Sequence, residues 1–543
     1  MCARSWSAIT TTSSPNINNN NIAYVMKQKT MIQFPGSEKI HIAGQINKVE
    51  VGMRRIALRE SQLRTLDGKT LSKPNSPLVV YDTTGAYSDP QYAGLIANGL
   101  PRLRENWYAK RKDIRRDDEG YRAKPGKTVS QLYYAKRRII TPEMEYVAIR
   151  ENQQIEMLGL KSYITPEFVR KEVAAGRAVI PANLNHSELE PMIIGQRFLV
   201  KVSNAIDSYD FGQQVANEQQ ISLLDYLEMG CDVLTLPFEQ EGVERREEGD
   251  AMRKQLLRHS PIPVAADPLS AAYGKAESID WPTVRQQLIC YCQEGIDILR
   301  LCPTLTPAIS ARLRQRMLRS DSNEHRFWEA WFASHPGEDN FLNAHFAEIC
   351  EILRTYDVTL CLGDATRAAS IYDATADSLR KAELTHIREL VDQARAQQVQ
   401  VIVENAGHST MDKVQESMKE LRYMGHEAPV LTIGPLQTNA AFGFEALSLA
   451  MGGASAAWQG ASLLSCAPIT ALRHQLKPAD KKHTLYRALL MAKVAAHSAD
   501  VAKAHPGAAL RDHAICKALA DPDRGEAEAE LLSLVPRRFR KWL

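Results

Sequence analysis

With 543 residues the chain exceeds one ordinary hydrophobic core and is expected to form about two to four domains. Its 44% apolar and 24% charged residues match an ordinary soluble globular protein, and 67 Lys and Arg against 64 Asp and Glu leave a net charge of only +3, which argues against nucleic acid or an anionic membrane as the main partner. No run of about 18 apolar residues reads as a transmembrane helix, and nine cysteines scattered at 2, 231, 290, 292, 302, 350, 361, 466 and 516 form no disulfide framework, so a reducing, cytoplasmic setting is expected.

Residues 1–30 are polar, rich in Ser, Thr and Asn, and carry neither an apolar period nor the apolar core of a secretory signal. They read as a disordered extension, with Met26 and Met31 as alternative starts. From 31 to 165 short β-like pieces at 40–44, 49–53 and 78–81 alternate with turn formers, the pattern of an α+β domain. The piece at 78–81 runs into Asp82-Thr83-Thr84-Gly85-Ala86-Tyr87-Ser88-Asp89-Pro90, a loop that could equally hold a ligand or turn the chain. Residues 106–127 carry many charges of both signs and read as a mobile, solvated excursion. Thr141-Pro142-Glu143 and Thr165-Pro166-Glu167 each supply a capping hydroxyl, a Pro at the first helical position and a carboxylate beside the positive end of the helix dipole.

From 166 to 470 the organisation is regular. Apolar strands are expected at 178–182, 198–202, 233–236, 262–265, 298–301, 358–362, 401–403 and 430–433, with amphipathic helical stretches between most of them, as at 284–295, 343–356 and 381–397. Eight strands alternating with helices, without a Gly-rich dinucleotide fingerprint, predict the α/β class and a (β/α)8 barrel. Strand ends in such a barrel share one mouth, where Asn183, Asn185, His186, Ser203, Asn204, Cys302, Asp364, Arg367, Glu404 and His408 are expected to gather around a small polar molecule. The most informative stretch is Val401-Ile402-Val403-Glu404-Asn405-Ala406-Gly407-His408, a buried strand that delivers a carboxylate and an imidazole to that mouth. A capping Glu and a surface His would be the structural alternative. Residues 471–543 read as a C-terminal helical segment, with apolar residues at helical spacing between 485 and 519 that would pack on the barrel or across a dimer. Its end, Arg537-Arg538-Phe539-Arg540-Lys541-Trp542, reads as a solvated helix terminus able to meet an acidic surface.

Five motifs in order carry a family resemblance: Val80-Tyr81-Asp82-Thr83-Thr84-Gly85, Ile139-Ile140-Thr141-Pro142-Glu143-Met144-Glu145, Ile180-Pro181-Ala182-Asn183-Leu184-Asn185-His186, Glu190-Pro191-Met192-Ile193-Ile194-Gly195 and Ala504-His505-Pro506-Gly507-Ala508. Together they resemble the ThiC family, the phosphomethylpyrimidine synthases of thiamine biosynthesis. The resemblance implies a barrel flanked by an N-terminal domain and a C-terminal helical segment, paired as a homodimer. It also implies conversion of aminoimidazole ribotide to hydroxymethylpyrimidine phosphate, a carbon-carbon lyase reaction by radical chemistry with S-adenosylmethionine and a [4Fe-4S] cluster. By motif, His408 and His474 would hold a second metal at the barrel mouth, zinc or iron(II), and Asp364, Arg367 and Glu404 would bind substrate. A guanidinium at Arg367 would clamp phosphate bidentately. The structural alternative for His474 is a surface histidine beside Lys477.

Departures from the family's pattern are several. The family closes with a Cys-x-x-Cys-x-x-x-x-Cys motif that ligates the cluster, whereas the last cysteine here is Cys516, so the cluster-bearing tail reads as absent. Cys290 and Cys292 read as helix packing. Positions expected to touch substrate are replaced by Ser203, Asn204, Thr235, Ser270, Cys302 and Leu431, and a Ser-Arg-Gly phosphate loop reads Ser322-Asn323-Glu324, which removes a cation and adds an anion. The expectation is a diverged paralogue with lost or altered catalysis, to which no catalytic residue is assigned. Its ligand would be a small phosphorylated or polar metabolite. The alternatives are a binding or regulatory partner that pairs with a true synthase, or synthase activity with the cluster supplied in trans through a heterodimer.

Overall fold

The computed structural model describes residues 32–64, 69–92, 96, 99–108, 111–155, 162–206, 222–236, 246–273, 276–316, 323–368, 370–375, 377–405, 407–434, 437–441, 444–466 and 478–519. The expectations for residues 1–31, Ser322, His474 and the 537–542 stretch lie outside them.

At the N-terminal end β1 (Ser37–Ala43) and β2 (Glu50–Ile56) pair antiparallel with Ile40 opposite Met53, and β5 (Leu78–Tyr81) adds to the far side of β2. Between them β3 (Ser61–Arg64) and β4 (Thr70–Lys73) form a separate ribbon. Alternation puts Val49, Val51, Met53 and Val79 on one face, which packs on Tyr146 of the helix Pro142–Glu151. That helix begins as its sequence dictates: the Thr141 hydroxyl accepts from the Met144 N–H and Pro142 fills the first turn, and Thr165 caps Pro166–Ala174 through Phe168 in the same way. The charged stretch at 106–127 is not the solvated excursion expected. It folds into the hairpin β6 (Ile114–Asp117) and β7 (Gly120–Ala123), with Gly120 at φ +108° in the turn. Ile114 and Ala123 turn inward onto Tyr108 and Tyr134 while the charges pair along the outside, so alternation beneath the charge was the signal missed.

The centre is a closed barrel of eight parallel strands: β10 (Lys201–Ala205), β11 (Val233–Thr235), β12 (Val264–Ala266), β13 (Ile298–Leu301), β14 (Thr359–Leu362), β15 (Val401–Glu404), β16 (Val430–Ile433) and β17 (Ala461–Ser465). Pairing of β10 with β17, Val202 opposite Leu464, closes it. Fold class and strand number are as expected, but the count runs from a different start. The apolar run at 178–182 is no barrel strand: β8 (Ala178–Val179) pairs antiparallel with β9 (Ile194–Gly195) outside the barrel. Val179, Met192 and Ile194 pack against Val233, Ile298, Cys361, Ile402 and Leu463, so this pair seals the barrel's N-terminal end. The eighth strand is β17, whose Ala-Ser-Leu-Leu-Ser sequence lacks the β-branched run that marked the others.

This shift moves three residues away from the mouth. His186 sits at the sealed end, its Nδ1 2.8 Å from Asp297 Oδ2 and its Nε2 2.9 Å from the Ser260 carbonyl, just ahead of β13 and β12. Burial pulls the His186 pKa down, but the Asp297 carboxylate outweighs it and leaves the pKa above its ordinary value. Asn183 Nδ2 donates to the carbonyls of Cys292 and Ile296, and Asn185 Nδ2 to that of Tyr121. All three fasten the connection between the N-terminal region and the barrel floor. At the C-terminal end the helix Pro478–Ala502 packs on Glu445–Trp458 and is followed by Pro506–Leu519. No helix among the described residues is long and apolar enough to cross a membrane.

Candidate functional site

Inward-facing residues alternate along each barrel strand and enclose a cavity of about 350 Å³ open at the C-terminal mouth. Its floor is apolar, built from Val233, Ile298, Cys361, Ile402 and Leu463, which also contact the sealing strands. Higher up, Ser203, Thr235 and Ser465 supply hydroxyls and Arg300 and Glu404 supply charge. Arg367, Ala368, Gly407 and His408 line the rim from the loops after β14 and β15.

Of the residues expected to bind substrate, Glu404 and Arg367 line the cavity and Asp364 does not. Glu404 ends β15 fully buried; its Oε1 accepts from Arg300 Nε at 2.8 Å and its Oε2 faces the Asp364 N–H at 3.3 Å. The Asp364 carboxylate turns back into its own loop. Oδ1 accepts from the Thr366 N–H at 2.9 Å and Oδ2 pairs with Arg380. Despite burial, Arg380 holds Asp364 below the usual carboxylate range. Glu383, beside the same guanidinium, is pushed up to about 8 by burial and then by the Asp364 charge, while it accepts from the Ala365 and Thr366 N–H groups and the Thr304 hydroxyl. This group shapes the loop that carries Arg367.

His408 is held by its neighbour loop. Ala368 and Gly407 form a parallel bridge, and His408 Nδ1 lies 2.9 Å from the Ala368 carbonyl. A carbonyl can only accept, so Nδ1 carries the proton and Nε2 keeps its lone pair. Burial lowers the His408 pKa, and the Arg367 guanidinium adds to this against the pull of the Ala368 carbonyl, which keeps the ring neutral at pH 7. A neutral ring oriented through Nδ1 is the form that ligates a divalent metal through Nε2. Gly407, at φ +84°, permits the approach: a Cβ there would stand 2.5 Å from Arg367 Cγ. His474, the second expected ligand, lies outside the described residues, among which no three His, Cys, Asp or Glu side chains gather as a metal site.

Arg300 was not anticipated. A charged residue at an inward position of an apolar strand, Ile298-Leu299-Arg300-Leu301, was the available signal. Its Nη1 reaches Glu324 Oε2 at 2.9 Å and lies 3.8 Å from Asp267 Oδ2, so one guanidinium serves three carboxylates. Gly363 makes room for it: a Cβ there would meet Arg300 Nη2 at 2.8 Å. Glu324 is fixed in place by its helix, Asn323–Ser334, where Trp328 is fully buried with its ring 4.7 Å from that of Phe341. Burial and then the Glu324 charge push Asp267 up to about 7, against Arg300 and the Tyr273 hydroxyl that donates to it at 2.6 Å.

The described cysteines do not fit an iron-sulfur cluster. Six of them are buried, and burial pushes the thiols of Cys231 and Cys350 up to about 12, away from the thiolate form that iron requires. Cys302, expected at the mouth, is buried beside Thr304 and does not line the cavity.

Residues 130–542 match the model of the radical SAM ThiC family, and residues 33–115 match that of the ThiC-associated domain. The first match spans the barrel and both of its ends. The second spans the antiparallel sheet before it.

Proposed function

The chain belongs to the radical SAM ThiC family, that of phosphomethylpyrimidine synthase in thiamine biosynthesis, and we propose that it is a diverged member whose barrel mouth binds a small polar metabolite with lost or altered catalysis. The observation that carries this reading is the bond from Arg300 to Glu404. The carboxylate expected to hold substrate is already engaged by a guanidinium from the barrel's own wall, so a ligand must either share it or displace a buried ion pair.

His408 and His474 are proposed as metal ligands, with zinc or iron(II) as the ion; the tautomer set by Ala368 supports this for His408. A metal bound there would act as a Lewis acid on a ligand oxygen or nitrogen. Arg367, on the rim beside His408, would orient an anionic group of the ligand. No step is assigned to a [4Fe-4S] cluster or to S-adenosylmethionine, because the described thiols do not fit a cluster. That misfit equally favours a second reading, a binding or regulatory subunit that pairs with a related synthase.

The test is growth without thiamine of a strain that lacks its own phosphomethylpyrimidine synthase and expresses this chain. No rescue, with soluble protein present, is the expected outcome. Rescue would overturn the loss of the family reaction. Metal content of the wild type against His408→Ala then separates the metal enzyme from the binding subunit.

A further inference from the structure

We propose that Arg316 and His325 are positioning residues: they grip the carbonyls of the rim loop 364–368 and so hold Arg367 in place at the cavity mouth before a ligand arrives. The inference rests on the reading that Arg367 meets an anionic group of the ligand, and it names what fixes that arginine.

The loop runs between two sets of hydrogen bonds. Carboxylates take its N–H groups: that of Asp364 faces Glu404 Oε2 at 3.3 Å, that of Ala365 donates to Glu383, and that of Thr366 donates to Asp364 Oδ1 at 2.9 Å and to Glu383 Oε2 at 3.2 Å. Side-chain donors take its carbonyls. His325 Nε2 lies 2.9 Å from the Ala365 carbonyl, Arg316 Nη1 donates to the Arg367 carbonyl at 3.2 Å, and His408 Nδ1 lies 2.9 Å from that of Ala368. Because a carbonyl only accepts, His325 carries its proton on Nε2. Connecting loops ordinarily run over the surface and move; this one is pinned through donors and acceptors alike.

Arg367 lines the cavity, and its stem lies against Gly407, where a Cβ would stand 2.5 Å from its Cγ. Neither Arg316 nor His325 lines the cavity, so both act on a ligand only through Arg367. The helix Asn323–Ser334 delivers two adjacent side chains to this region, Glu324 to Arg300 Nη1 at 2.9 Å and His325 to the Ala365 carbonyl. One helix start therefore fixes both cavity arginines, Arg300 directly and Arg367 through its loop. Burial lowers the His325 pKa against the Glu324 carboxylate, so the ring grips the loop as a neutral donor at pH 7. An arginine ordered in advance gives up less freedom when an anion binds.

The test uses two readouts on the full-length protein. Limited trypsin digestion, mapped by mass spectrometry, reports whether the Arg367–Ala368 bond is held, and calorimetric titration with phenyl phosphate reports anion binding. His325→Leu is expected to speed cleavage at Arg367 about tenfold and to weaken phenyl phosphate about tenfold. His325→Gln, whose amide nitrogen reaches the same carbonyl, should restore both to within about twofold of wild type. Arg316→Met should act as His325→Leu does, and Arg316→Lys should recover part of the loss. In an Arg367→Ala background His325→Leu should cost no further affinity, which separates positioning of that arginine from a general loss of structure. The proposal fails if His325→Leu matches wild type in either readout, if His325→Gln does no better than His325→Leu, or if His325→Leu still weakens binding once Arg367 is gone. Failure of wild type to bind phenyl phosphate would overturn the anion-binding reading of Arg367 and this inference with it; binding that the variants leave unchanged would overturn this inference alone.

Discussion

Arg300 Nε donates to Glu404 Oε1 over 2.8 Å, joining the fourth barrel strand to the sixth across the mouth of the cavity. Both groups are buried, so each depends on the other to offset desolvation. Glu404→Ala should lower stability by about 3 kcal/mol, and Glu404→Gln by less, because its amide oxygen still accepts from the guanidinium. Denaturant unfolding checks both variants.

Asp267 gives a pH signature. Its folded pKa, about 7, lies above that of an unfolded aspartate, so folding favours the protonated form. The stability associated with that proton is complete below about pH 4 and is lost as pH rises toward 7. Asp267→Asn, permanently neutral, should therefore raise the unfolding midpoint at pH 8 and change it little at pH 5. Equal effects at the two pH values would contradict the assignment.

His408→Ala should abolish metal retained through gel filtration. Ala368 acts through its backbone carbonyl, so Ala368→Ser should leave metal content unchanged. Elemental analysis of the purified proteins decides both, and metal retained by His408→Ala would remove this histidine from the site.

Asp364 is expected to behave as a residue that holds its loop. Asp364→Ala leaves Arg380 short of one partner and leaves the Thr366 N–H only its longer bond to Glu383, at a cost of about 3 kcal/mol. Asp364→Asn should keep the Thr366 bond and recover part of that loss. A ligand-binding defect at full stability would instead place Asp364 in direct contact with ligand.

At the opposite end of the barrel, Asp297→Ala should cost about 3 kcal/mol or more, since Asp297 accepts from the N–H groups of Asn183 and Val264 and pairs with His186. Asp297→Asn, which keeps one of those two acceptor oxygens, should cost less, and denaturant unfolding of both variants measures this.

Sequence periodicity alone pointed to an α/β barrel and located seven of its eight strands, because buried parallel strands must be short apolar runs and the helices between them must be amphipathic. It also placed Glu404 and His408 together, since they lie four positions apart at one strand end. Which apolar run enters the barrel was decided only by packing: 178–182 and 461–465 differ in burial partners, and β8 serves as the floor because Val179 and Ile194 fill the narrow end. The same shift sent His186 to the sealed end. Asp364 sits among turn formers in a fashion that suits a ligand loop, yet Arg380, sixteen positions along the chain, turns its carboxylate inward. The Arg300 cluster draws on the loop after β12, on β13 and β15, and on the helix Asn323–Ser334. Charge balance among groups so distant in sequence is a property of their spacing in three dimensions, and no local pattern encodes it.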